Sequence, residues 1–346
     1  MKAYQLTAWQ SPPEMREVAV PEPGPGEVLI KVGGAGACHS DLHLMEWPEG
    51  TMDFDLPFTL GHENAGWVEA LGAGVEGLQE GEAVSVYGPW GCGRCRACRL
   101  SAENYCERQA EIGAFGGGLG LDGGMAEYML VPHSRLLLPL GELDPRDAAP
   151  LSDAALTPYH AIKRSLHLLV PGSTAVVIGI GGLGHMAVQI LRALTPAQVV
   201  AVDTSAEKLA LARAIGADAT VEPGVDAARQ IRELTGGRGA ELVLDDVGAD
   251  DTLALATEIS RFEAHLTVVG LAGGKLQFAF GALPFEAQLT IPYWGTAVEL
   301  GEDLDLARAG KIQSHVERFP LDRVEEAYRR MREGTLEGRA VICPHD

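Results

Sequence analysis

The sequence predicts an α/β protein made of a β-rich part and a doubly wound parallel sheet. Three observations carry that expectation. From residue 1 to about 150, short β-rich runs alternate with Pro and Gly punctuation. From about residue 154 the pattern becomes strand, helix, strand, helix. A glycine-rich turn joins the first strand of that alternation to its first helix. At 346 residues the chain can bury two hydrophobic cores, and its 46% apolar and 22% charged composition is that of an ordinary soluble globular protein.

In the first part Glu27–Val32, Gly66–Leu71, Ala83–Tyr87 and Ala126–Val131 read as strands, the first entered through the stiff turn Pro21–Gly26. A partly open barrel or sandwich follows from such runs. In the second part Thr174–Ile178 reads as a buried strand, Gly182–Ala193 as a helix, Val199–Val202 as the next strand and Ala206–Ile215 as its helix. Glu241–Asp245 and His265–Val269 are further strands. Beyond about residue 293 lie helices at Asp303–Arg308 and Val324–Met331 and a strand at Arg339–Ile342, expected to pack back on the first part. The domains are therefore placed at 1–153, 154–292 and a return segment 293–346. Thr174–Leu191 lacks Asp, Glu, Lys and Arg, but its four glycines and His185 suit a strand and buried helix better than a membrane span.

The turn Gly179-Ile-Gly181-Gly182-Leu183-Gly184 is a G-x-G-x-x-G. It follows a strand, opens a helix and meets Asp203 at the end of the next strand, which is the context a dinucleotide fingerprint requires. Gly179 permits the tight turn, Gly181 lets a pyrophosphate approach the helix N-terminus, and Gly184 lets helix and strand pack closely. Asp203 would accept hydrogen bonds from the adenosine ribose. A 2′-phosphate about 4 Å away would be repelled by about 4 kcal/mol at an effective dielectric of ~20, so NAD(H) is expected over NADP. Ser205 is free to cap the helix in place of Asp203, and Lys208 is a further candidate for the ribose.

Cys92, Cys95, Cys98 and Cys106 lie within fifteen residues, in a lobe of about 91–107. Nothing at the N-terminus resembles a secretory signal, so a cytoplasmic setting is expected. The cluster then reads as a tetrahedral four-thiolate structural zinc site, with a disulfide pair or chance clustering as alternatives. Arg94, Arg96 and Arg99 form a local basic patch, but a net charge of -21 argues against nucleic acid and anionic membranes as partners. Two further candidate ligands are Cys38, in Ala37–His43, and His62, in Gly61–Glu63. With a third ligand they would form a catalytic zinc site that keeps one position open.

Five motifs in this order, spanning almost the whole chain, resemble the zinc-containing medium-chain alcohol dehydrogenases, with the pattern of the bacterial NAD-dependent secondary alcohol enzymes. They are Cys38 with Ser40, Asp41 and His43; Gly61–Glu63; the four-cysteine lobe; the glycine turn; and Asp203. The resemblance implies a GroES-like β-rich catalytic domain and a Rossmann cofactor domain. It implies that Cys38, His62 and Asp153 hold the catalytic zinc, that Glu63 is an occasional ligand, and that Asp41 orients the His62 ring. It implies two zinc ions per chain, NAD(H), and a homodimer or homotetramer.

On this reading zinc polarises the oxygen of an alcohol, hydride passes to NAD, and a ketone or aldehyde results. Ser40 would take the proton and His43 would pass it to solvent. Arg339 resembles an arginine that contacts the cofactor pyrophosphate. His39 is expected on the opposite side of a strand-like segment 37–43. Phe54, Trp90, Leu119, Tyr293 and Trp294 could wall an apolar pocket. Two other enzymes fit the motifs less fully: a zinc-dependent polyol dehydrogenase, and a zinc-free quinone or enone reductase. A zinc-ribbon binding module on a dinucleotide fold is the non-enzymatic rival.

Overall fold

The computed structural model describes residues 1–346. The first unit comprises Met1–Leu156, Trp294–Arg308 and Ser314–Asp346; the second comprises Thr157–Tyr293 and Ala309–Gln313. Residues 309–313, placed with the return segment from sequence, belong to the second unit. The Gln189 amide grips them, donating to the Gln313 carbonyl and accepting from its N–H, both at 3.0 Å.

A seven-stranded sheet forms the frame of the first unit. Its centre is Val28–Gly36, whose Val28, Leu29, Ile30 and Val32 are buried. Antiparallel neighbours are Glu63–Leu71, Tyr128–Val131 and the returning Arg339–Cys343. Ala83–Val86 and Leu137–Pro139 extend one side, and Val316–Pro320 lies parallel to Arg339–Cys343 on the other. Lys2–Leu6 joins Glu14–Glu17 and Phe58–Thr59 in a smaller sheet.

The segment after the central strand departs from expectation. Residues 37–43 are not strand-like: His39–Glu46 is a helix. Cys38 is extended at its N-cap, and the Asp41 carboxylate accepts the Cys38 N–H at 2.9 Å, closing the first turn. His39 therefore opens a helix, and Ser40 and His43 stand three residues apart on one face.

The second unit holds a six-stranded, all-parallel sheet. Its spatial order is Ala219–Val221, Gln198–Val202, Thr174–Ile178, Ala240–Asp245, Ser260–Val268, Gln288–Thr290. In chain order this is 3-2-1-4-5-6, the dinucleotide-binding arrangement. Thr174–Ile178 is buried throughout, as a central parallel strand must be. The edge strand Gln288–Thr290 has one neighbour, and Phe262, Phe278, Phe280, Phe285 and Ile291 around it are exposed. No helix is long and apolar enough to cross a membrane.

In the helix Ala297–Arg308, Asp303 is fully buried between Leu300 and Leu304 positions, and neither carboxylate oxygen has a partner. Burial pushes its carboxyl well above the ordinary range, with Glu299 and Glu302 adding to the rise and Arg308 opposing it. An acid raised in the folded state costs nothing below its unfolded value, and the cost grows as pH rises above it. Asp303→Asn should therefore gain about 1–3 kcal/mol at pH 7–8 and lose that advantage below about pH 4, read from urea midpoints across pH.

Candidate active site

The first unit brings Cys38, His62, Glu63 and Asp153 together, with one ligand atom of each within 4.8 Å of the others. Cys38 sits where the central strand turns into the helix, and His62 and Glu63 stand at the entry to the neighbouring strand. Asp153 follows the 3-10 turn Ala149–Ser152. All four are buried. His62 Nε2 is 3.6 Å from Asp153 Oδ2, and the Ser40 hydroxyl donates to Cys38 Sγ at 2.9 Å and lies 3.5 Å from His62 Nε2.

Asp41, wholly buried, organises the cluster from behind. Its Oδ1 lies 3.1 Å from His62 Nδ1, and its Oδ2 accepts the Cys38 N–H and the Tyr328 hydroxyl. A proton on Nδ1 leaves the Nε2 lone pair facing Cys38 and Asp153, the tautomer a metal ligand needs.

Arg339 has a partner within the cluster. Expected at the cofactor pyrophosphate, it is 3% exposed and grips Glu63 with Nε, at 2.9 Å, and with a terminal nitrogen. Gly36 makes this possible, because a Cβ there would lie 1.9 Å from Glu63 Oε2. Burial pulls the guanidinium down, but Cys38 and Glu63 hold it well above its ordinary value. Burial works against the Cys38 thiolate, and Arg339, followed by His62, overcomes it and lowers the thiol.

Cys38, Asp41, Glu63 and Asp153 can each carry a negative charge, against one guanidinium and one imidazole. Burying that surplus without a cation is unfavourable, and a mixed sulfur, nitrogen and oxygen donor set suits zinc. The residues present fit the metal.

His43 lies on the same helix face as Ser40, partly buried. Trp294 packs edge-on against His62, ring centroids 6.0 Å apart. Sequence reasoning missed Tyr328 and the pairing of Arg339 with Glu63. A tyrosine on an amphipathic helix signals only core, and no local pattern links residues 276 positions apart.

In the lobe Cys92, Cys95, Cys98 and Cys106 are free thiols whose sulfurs converge on one point. Sγ separations are 3.4 Å for Cys95–Cys98 and 4.0 Å for Cys92–Cys98 and Cys95–Cys106. The edge of a tetrahedron with metal–sulfur bonds of about 2.3 Å is about 3.8 Å. Peptide N–H groups point at the sulfurs: Cys92 to Cys106 and Cys95 to Cys92 at 3.3 Å, and Arg108 to Cys106 at 3.4 Å. Such donors favour thiolate: Cys92 is drawn down to about 6, first by the Arg94 backbone, and Cys95 is lowered by the Cys98 N–H, while burial pushes Cys98 and Cys106 up. This set also fits zinc.

In the second unit Gly179 has φ +91°, and a Cβ on Gly184 would strike the Gly179 carbonyl at 1.9 Å. A Cβ on Gly181 would meet nothing within 4 Å, which leaves the approach of a phosphate open. Gly182 and Leu183 lead into the helix Gly184–Leu194. Asp203 accepts N–H bonds from Ile180 at 2.7 Å and Ser205 at 2.9 Å, tying the second strand to the glycine turn. Ser205 caps the following helix through the Lys208 N–H, so Asp203 is not spent as a cap. Lys208, partly buried, is in that helix's first turn. This cradle fits a dinucleotide.

Comparison with known proteins agrees with both halves. Residues 24–142 match the alcohol dehydrogenase GroES-like domain, and residues 182–304 match the zinc-binding dehydrogenase family. The D-arabinose 1-dehydrogenase (NADP(+)) of Saccharolobus solfataricus is 36% identical over 99% of this chain and 97% of its own. The chain belongs to the zinc-containing medium-chain alcohol dehydrogenase family. An NAD-dependent alcohol dehydrogenase of Sulfurisphaera tokodaii is 34% identical to this dehydrogenase over 99% of this chain and 100% of the relative. The crystal structure of the alcohol dehydrogenase from Aeropyrum pernix superposes with a TM-score of 0.91 at 36% identity, covering 99% of this dehydrogenase and 100% of that chain. The GroES-like catalytic part and Rossmann cofactor part expected from sequence are thus this family's architecture.

Proposed function

We propose that this dehydrogenase reversibly oxidises alcohols, preferentially secondary ones, to ketones or aldehydes with hydride transfer to NAD. The observation that carries the reading is the buried convergence of Cys38, His62, Glu63 and Asp153 beside Ser40. Cys38, His62 and Asp153 would hold a zinc ion, with Glu63, kept by Arg339, an occasional fourth donor. Bound there, zinc would supply Lewis acidity that makes a substrate hydroxyl easier to deprotonate. Ser40 takes the substrate proton and His43, three residues on, carries it outward. Trp294 against His62 gives the site an aromatic wall, which suits an alkyl or aryl group better than a row of hydroxyls. The lobe cysteines would hold a second, structural zinc.

Asp203 favours NAD. It is partly exposed beside the glycine turn, and its carboxylate would repel a 2′-phosphate on a dinucleotide bound at that turn. Screening reduces the repulsion to about 1–2 kcal/mol, so Asp203→Ala should narrow the preference for NAD over NADP by about tenfold, measured as the ratio of kcat/KM values. The exposed aromatic group at the sheet edge, with Phe280 and Phe285 centroids 6.0 Å apart, supports a homodimer or homotetramer.

The D-arabinose dehydrogenase likeness favours a second reading, a sugar or polyol as substrate. One screen separates the two. Initial rates with 2-butanol, ethanol, sorbitol and D-arabinose, with NAD and NADP, with and without a strong chelator, should favour 2-butanol and NAD and vanish with chelator. Faster turnover of sorbitol or arabinose would replace the proposed substrate class, and full activity after metal removal would sink the zinc chemistry.

A further inference from the structure

Asp41 accepts three donors, and each does a separate job. His62 Nδ1–H, at 3.1 Å, fixes a ring. The Cys38 N–H, at 2.9 Å, fixes the backbone that carries the thiolate. The third, the Tyr328 hydroxyl at 3.0 Å, touches neither ligand. It comes from the helix Val324–Arg332 in the return segment, 287 residues away along the chain.

The phenol is held firmly. Tyr328 is 1% exposed, and its ring stacks on buried Tyr4 with centroids 6.3 Å apart and planes 26° apart. Its oxygen is also 3.1 Å from Met125 Sδ, but a thioether is a weak acceptor, and the one hydroxyl proton belongs to the carboxylate. Without that bond Asp41 Oδ2 would keep a single donor, contributed by its own helix turn. The carboxylate plane could then rotate about that donor and carry Oδ1 away from His62. A rigid aromatic arm from a distant segment prevents the rotation.

We propose that Tyr328 is a positioning residue for the metal centre, pinning the Asp41 carboxylate so that one side chain holds both His62 and Cys38 in register. This rests on the reading of Cys38, His62 and Asp153 as metal ligands. Outer hydrogen-bond partners of metal ligands are worth about 10- to 100-fold in metal affinity, and a partner one bond further out belongs at the lower end of that range.

The test uses the full chain and zinc itself. Metal content is first compared between the wild type and Cys38→Ser; equal content would remove the metal centre, and this proposal with it. Zinc affinity is then measured by competition with a chromophoric chelator. Tyr328→Phe, which keeps the ring stack, should weaken zinc at this centre about tenfold and leave the lobe zinc unchanged as an internal control. The visible spectrum of the cobalt-substituted protein should change with it, since ligand geometry alters. In an Asp41→Asn background, Tyr328→Phe should have no further effect, because the hydroxyl acts only through Asp41. A zinc affinity within twofold of wild type and an unchanged cobalt spectrum would overturn the proposal, as would an equal loss in the Asp41→Asn background.

Discussion

Cys38→Ser is expected to slow alcohol oxidation by at least about a thousandfold while NADH binding changes by less than about twofold. Serine is isosteric, but its hydroxyl does not ionise near neutrality, so the centre loses its soft anionic donor. His62, Glu63 and Asp153 remain, and they hold zinc less tightly and with a different charge. A zinc ion held there would supply several kcal/mol of charge stabilisation, and about 4 kcal/mol corresponds to a factor of about a thousand. NADH affinity is insulated because the glycine turn and Asp203 belong to the second unit, away from the substituted residue in sequence and in packing unit. Fluorescence titration with NADH, metal analysis and initial rates on one preparation check all three parts. Turnover near that of the wild type would mean that Cys38 is not a ligand.

The largest stability effect is expected at Arg339. Arg339→Leu strips Glu63, which is fully buried, of the two donors that balance its charge. Breaking one half of a buried ion pair costs about 3–5 kcal/mol, because the other half is left uncompensated. Urea unfolding of the metal-free protein should show a loss of that size. The double variant Glu63→Gln with Arg339→Leu should recover most of it, which separates the stranded charge from simple loss of packing. Arg339 is also the chief influence holding the Cys38 thiol down against burial. In Arg339→Leu the thiol should rise, and zinc uptake at the centre should move to higher pH. An unchanged urea midpoint would show that Glu63 finds another partner.

The parts visible in the sequence were those whose physics is local. Thr174–Ile178 matches residue for residue because a strand buried on both faces must be an unbroken apolar run. The glycine turn and the four-cysteine lobe are legible because close backbone approach and metal ligation each demand particular residues at short spacing. Asp153 was reachable only through resemblance, since its position is set by a 3-10 turn with no periodic signature. The helix His39–Glu46 was hidden because Cys-His-Ser-Asp has no apolar period, and its start depends on Asp41 reaching back to Cys38. Ser260–Val268 begins five residues before the apolar run His265–Val269, since Arg261, Phe262 and Glu263 are partly or largely exposed. Tyr328 and Arg339 meet the site across 287 and 276 residues, a relation that only the folded sheet creates.

That long-range closure bears on how the protein is made. Because Arg339–Cys343 slots beside Val28–Gly36, and Tyr328 arrives on the helix just before it, the core of the first unit stays incomplete until residues 324–343 have been made. The cofactor-binding segment, nearly continuous from Thr157 to Tyr293, leaves the ribosome earlier and can gain structure first. A nascent chain arrested before residue 339 would carry Cys38 and His62 without the arginine and the strand Arg339–Cys343 that steady them, leaving those thiol and imidazole groups open to stray metals.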